Sequence, residues 1–179
     1  MKITVVPRNY ICRMMNQDPK WYMDKWIISI FSSPYCCPNG AFSPVPAADN
    51  VCHLQFDDVT EKDILDEPVQ HFNSDLAQKI KRFIENIQDD GSREMFVHCD
   101  AGVSRSGAVG ILLNEYFNKF LTNNVEDAEF FLHNNPQVMG NPEVTRILKN
   151  TLFEVDYKML FTDHDFDSDG EMILKDVLI

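Results

Sequence analysis

An α/β fold is predicted, with a small, mostly parallel central sheet flanked by helices. Three observations carry it. Short apolar runs of β-forming residues alternate along the chain with longer stretches of helical periodicity. One of those runs, "KWIISIFSS", is apolar enough to be a buried strand. One of the helical stretches, Ser104 to Leu121, is apolar on most sides and must be buried itself.

Taken in order, "KITVVP" (Lys2 to Pro7) is a short strand, and "NYICRMMNQ" reads as a helix that stops before Pro19. Lys25 to Ser33 is the buried strand. "PYCCPNGAFSPVPAADN", with four prolines, is a surface loop. Val51 to Phe56 is a third strand, and the acidic "DDVTEKDILDEPVQHFN" after it is irregular. Asn73 or Ser74 can cap the next helix, whose Leu76, Ile80, Phe83 and Ile87 form one apolar stripe. Gly91 ends it or shapes the turn, and "EMFVHC" is the fourth strand. The buried helix comes next, then two more, "VEDAEFFLHNN" and "PEVTRILKNTLFEVDYKML".

The chain has 179 residues, the size of one ordinary domain, and 44% of them are hydrophobic. No run is long and apolar enough for a membrane span. "MKITVVPRNY" lacks the apolar block of a signal peptide, which places the protein in a cytoplasm. A net charge of −12 argues against nucleic acid and against an anionic membrane surface. It leaves room for a small phosphate-bearing group at a local positive site. The five cysteines read as reduced thiols. Cys36, Cys37, Cys52 and His53 match no common zinc spacing, and no metal or cofactor is expected. In the tail, Asp165, Asp167, Asp169, Gly170 and Asp176 partly match a calcium-binding loop. With no room for an exiting helix, that stretch is read as a solvated acidic tail.

"FVHCDAGVSRSG", Phe96 to Gly107, lies at the seam between the fourth strand and the buried helix. Gly102 and Gly107 let the backbone turn tightly and pack closely. The loop's N–H groups then point inward at a helix N-terminus, which is a ready-made anion site. Cys99 at its floor would sit in the same positive field, which favours thiolate over thiol. Arg105 closes the ring with a planar fork suited to two oxygens of one phosphate. Such a thiolate is placed to attack phosphorus. A buried structural cysteine beside a capping serine would explain Cys99 alone. It would not explain Arg105 and Ser106 at their spacing.

The segment H-C-x-x-G-x-S-R-S-G resembles the signature loop of the cysteine-dependent protein phosphatases, in their dual-specificity branch. "VEDAEFFLHNNPQVMGNPEVTRIL", with an Asn-bearing turn, resembles the stretch after the loop helix in that family. The resemblance implies a tyrosine phosphatase-like fold over residues 1–153, with 154–179 an acidic C-terminal extension. It implies Cys99 as nucleophile and Arg105 as binder of the phosphoryl group. Ser106 would stabilise the departing thiolate, and His98 would help set the loop by hydrogen bonding. The loop from Asp100 through Ala101, Gly102, Val103 and Ser104 to Arg105 would bind phosphate.

For the general acid the resemblance points to "LQFDDVT" and there to Asp57, with Asp58 and Asp63 as alternatives. The Val51–Phe56 strand is expected beside the Cys99 strand. On that footing Cys52 could pair with Cys99 on oxidation, or be a small buried hydrophobe. "DAGVS" carries no lysine of the kind that lipid-directed relatives place in this loop. The implied activity is hydrolysis of phosphate monoesters on phosphoproteins, on tyrosine and also serine or threonine. A catalytically weak phosphate-binding module of the same fold is the other reading. Relatives that share the loop on another fold, such as the low-molecular-weight enzymes, carry it near the N-terminus rather than past mid-chain.

Overall fold

The computed structural model describes residues 1–36, 41–60, 63, 68–87, 93–122 and 125–153. Four strands form one sheet: β1 (Ile3–Pro7), β2 (Trp26–Phe31), β3 (Val51–Gln55) and β4 (Met95–Cys99). Their order across the sheet is β1-β4-β2-β3, and every neighbouring pair is parallel. The expected class therefore holds.

Both faces of the sheet are covered, as parallel sheets require. Successive side chains alternate between them. Val5, Ile28, Cys52, Leu54, Val97 and Cys99 face the larger core. There they meet residues of α2 (Ser74–Glu85), α3 (Arg105–Asn114), α4 (Val125–Asn134) and α5 (Pro142–Phe153). Val6, Ile27 and Phe96 face the other way and pack with Ile11 of α1 (Arg8–Gln17). All five residues of β4 are buried, as befits a central strand. Burying one such Ile or Leu contributes about 1.5–3 kcal/mol. Among the described residues no helix is long and apolar enough to cross a membrane.

Two expectations need correcting. The Val51 strand does not lie beside the Cys99 strand, because β2 stands between them. Cys52 and Val97 both pair with Ile28, from opposite sides. At about 4.8 Å per strand step, their Cα atoms are about 10 Å apart, and Cys99 is two residues further on. That exceeds the roughly 7 Å a disulfide tolerates. Cys52 is instead the small buried hydrophobe, its thiol pushed up to about 11 by burial.

The second correction concerns the long apolar helix. It is α-helical only to Asn114 and continues as a π-helix over Glu115–Leu121. Thr122 returns its backbone N–H and its hydroxyl to Phe117 O at 3.2 and 2.9 Å. The wider turn changes which residues face inward. Asn114 and Asn118 are buried and hydrogen-bonded to each other, while Phe120 and Leu121 face solvent.

For α2 the cap is Asn73, which accepts the Leu76 N–H at 3.1 Å. Its buried centre is Ala77, Ile80 and Ile84, with Leu76, Phe83 and Ile87 at the margins. The expected extension 154–179, with the Asp165–Asp176 segment, lies outside the described residues.

Candidate active site

Because the strands are parallel, their carboxyl ends open at one edge of the sheet, where α/β proteins bind ligands. Pro7, Phe31, Gln55 and Cys99 are the four terminal residues at that edge. Cys99 is 1% exposed and leads directly into the loop that enters α3.

The loop is held by its carbonyls. Asp100 O accepts the Arg8 N–H at 3.2 Å, Val103 O that of Met139 at 3.1 Å, and Ser104 O that of Asn141 at 3.3 Å. In a planar trans peptide the N–H points opposite to the C=O. The N–H groups of Ala101, Ser104 and Arg105 therefore point away from Arg8, Met139 and Asn141. Gly102 makes this possible, with φ of 73°. A Cβ there would stand 2.5 Å from Pro7 N and 2.6 Å from Val6 C, so only glycine fits against β1. Gly107 has a similar role, since a Cβ would meet Met139 O at 2.9 Å.

Cys99 Sγ lies 3.1 Å from the Ser106 hydroxyl, both buried. Arg105 is 4% exposed. Its Nη1 donates to Ser32 Oγ at 2.9 Å and Phe56 O at 2.8 Å, and its Nη2 to Asp100 Oδ2 at 2.7 Å. Ser32 also donates to Asp100 Oδ2, at 2.8 Å. The guanidinium is thus clamped along one side, while its buried Nε has no hydrogen-bond partner among the described residues. An unpartnered buried donor on a cation is costly unless an anion completes it.

The adjacent aspartates have different surroundings. Asp57 turns inward at 2% exposure. Its Oδ1 accepts the Ser33 N–H and its Oδ2 the Gln70 N–H, both at 2.8 Å. Burial alone would push its carboxyl up, but the hydrogen bonds from Gln70 and Ser33 outweigh it and hold it below the usual carboxylate range. Asp58 is the one that meets the loop. Its Oδ1 accepts from the Ser104 hydroxyl at 2.7 Å and from Asn141 Nδ2 at 2.9 Å. Its Oδ2 is 4.0 Å from Arg105 Nε. Asp63 is exposed and caps Thr60.

Neither ring nitrogen of His98 has a hydrogen bond of full geometry among the described residues, while a hydrogen-bonding contact with the Cys99 backbone still favours the charged ring. Burial, aided by the charge of Arg8, pushes its pKa down to about 4, so the ring is neutral near pH 7.

Sequence reasoning missed Ser32, Ser33 and Asn141 as site residues. Asn141 carried a signal, since Asn-Pro before an apolar period marks a helix start. Its Oδ1 caps α5 through Glu143 and Val144, and its Nδ2 reaches Asp58 and Val59 O. Ser32 and Ser33 carried none, because their partners are distant in sequence.

A family model described as "DSP-PTPase phosphatase fused to NAD+ Kinase" matches residues 47–135, which contain β3, α2, β4, the loop and α3. No curated protein matches. Among solved structures, the chain is similar to the human tyrosine phosphatase-like serine/threonine/tyrosine-interacting protein. The identity is 20%, with 87% of this chain and 93% of that one covered and a TM-score of 0.48. It is also similar to Tk-PTP in its active form, at 15% identity, 86% and 91% coverage and a TM-score of 0.43. A third is PTPMT1 in complex with PI(5)P, at 14% identity, 88% and 94% coverage and a TM-score of 0.45.

Proposed function

We propose, from a dual-specificity phosphatase-like domain match over residues 47–135, that the chain hydrolyses phosphate monoesters on phosphoproteins in a reducing, cytoplasmic setting. The observation that carries this reading is the pairing of a buried Cys99 thiol with a clamped Arg105 whose Nε, 4.0 Å from Asp58 Oδ2, has no hydrogen-bond partner among the described residues. A phosphate seated beside Cys99 would take that Nε–H and the amides of Ala101, Ser104 and Arg105, whose carbonyl neighbours are turned to Arg8, Met139 and Asn141.

In the first step the Cys99 thiolate attacks phosphorus. A P–S bond forms and the P–O bond to the leaving group breaks. The leaving oxygen takes a proton from an acid, and Asp58 fits that role better than Asp57. Asp57 is committed to two backbone N–H groups, whereas Asp58 stands beside Ser104 and Arg105. Deprotonated Asp58 then draws a proton from water as the water attacks phosphorus, and the P–S bond breaks. The Ser106 hydroxyl, 3.1 Å away, donates to the departing sulfur.

The test is turnover of an aryl phosphate and a phosphotyrosine peptide with EDTA present. Cys99→Ser should lose turnover yet still bind phosphate, and Arg105→Lys should lose both, because an ammonium cannot reproduce the fork. Substantial turnover by Cys99→Ser would end the phosphocysteine reading. Phosphopeptide binding without turnover in the wild type would leave the recognition-module reading in its place.

A further inference from the structure

We infer that a groove on α1, beside the catalytic loop, is a second anion subsite that selects substrates carrying a carboxylate or another phosphate near the scissile one. This rests on the phosphatase reading above and names a feature of its substrate.

The groove has a volume of about 580 Å³ and is lined by Arg8, Asn9, Cys12, Arg13, Asn16, Gln17 and Asp100. On a helix, residues four apart share a ridge. Two neighbouring ridges build this face: Arg8, Cys12 and Asn16 form one, Asn9, Arg13 and Gln17 the other. Ile11, between them in sequence, turns the opposite way into the core.

An ordinary solvated helix face carries charges of both signs. The chain has 28 acidic residues against 16 basic ones, yet α1 contains no carboxylate, and its charged residues are Arg8 and Arg13 alone. Three side-chain amides supply further donors. Arg8 lies over the Phe42 ring, 4.7 Å from its centroid, which sets the guanidinium plane against a wall. Among the described residues that line the groove the one acid, Asp100, is compensated through Oδ2 by Arg105 and Ser32. The described residues that line the groove thus carry two arginines against one aspartate, in a chain with 28 acidic and 16 basic residues.

Its position ties it to the chemistry. Asp100 lines the groove and also holds Arg105. The Arg8 N–H binds Asp100 O, and Pro7 pairs with Cys99 across the sheet. An anion in the groove would therefore sit next to the residue that comes after the nucleophile.

The experiment uses three peptides of one phosphotyrosine sequence, with neutral flanks, with flanking glutamates, and with a second phosphate on a flanking serine. For wild type, Arg13→Ala, Arg13→Glu and Arg8→Gln, kcat/KM is measured on each peptide and on a small aryl phosphate. Binding of the same peptides to the Cys99→Ser protein, with and without Arg13→Glu, is measured in parallel. Wild type should prefer at least one anionic-flank peptide by about tenfold, less at raised salt. Arg13→Glu should abolish that preference while aryl phosphate turnover stays within about twofold. A gain for the diphosphorylated peptide alone identifies the anion as phosphate, and a gain for both as any oxyanion. Equal wild-type rates on all three peptides, or a preference that survives Arg13→Glu, overturns the subsite. If nothing is hydrolysed but the Cys99→Ser protein still prefers anionic flanks through Arg13, the subsite stands and the catalytic reading falls.

Discussion

Asp58 Oδ1 takes the Ser104 hydroxyl at 2.7 Å across 46 residues of chain, while Asp57 beside it points into the protein. Asp58→Asn should slow a phosphotyrosine peptide by about 10²–10⁴-fold and an ester with a good leaving group far less. Asp57→Asn should act on stability, because the new amide meets a backbone N–H with a donor. The cost should be about 1–3 kcal/mol in a denaturant titration. The reverse pattern would return the acid role to Asp57. The Asp57 carboxylate is favoured in the folded state, so its contribution is present above the usual carboxylate range and fades as pH drops through its lowered folded value.

At Gly102, alanine would have to adopt a φ of 73° with its Cβ 2.5 Å from Pro7 N. Strain of this kind costs about 1–3 kcal/mol before the clash is counted. Gly102→Ala should lower Tm and, by displacing the loop amides, weaken phosphate binding. A variant with wild-type Tm and phosphate affinity would show that the loop does not need this conformation.

Acid should weaken the fold through His98. Its folded pKa is about 4 against an ordinary 6.5, so over that interval the unfolded chain takes up a proton that the folded one refuses. Stability is therefore full above about pH 6.5 and declines as pH falls towards 4, by about 3 kcal/mol in total. His53, also lowered by burial, adds a change of the same sign. Urea midpoints at pH 7.5 and pH 5 should differ more for wild type than for His98→Gln. Equal differences would remove His98 as the cause.

Peroxide should not link Cys52 to Cys99. β2 lies between their strands, and a thiol with a pKa near 11 supplies little thiolate. Peptide mapping after oxidation should find no such bridge, and Cys52→Ser should recover with dithiothreitol as fully as wild type. A linked Cys52–Cys99 peptide would demand a backbone rearrangement at that edge.

The sequence by itself determined the loop. Cys99, Gly102, Arg105 and Ser106 fall within eight residues at a strand-to-helix junction, so chain connectivity alone brings them around one hollow. The alternation of strands and helices likewise determined the class, because burial of apolar faces dictates layered packing. Only the tertiary structure decided the order of the strands, and with it which residues share the loop's edge. That order put β2 rather than β3 next to β4, brought Ser32 to Arg105, and removed Cys52 from reach. It also separated Asp58 from Asp57: neighbours on an extended chain point to opposite sides, and which side meets the loop depends on Ser104 and Asn141 arriving from elsewhere. Such partners are far apart in sequence and leave no local period, so they become visible only once the sheet is assembled.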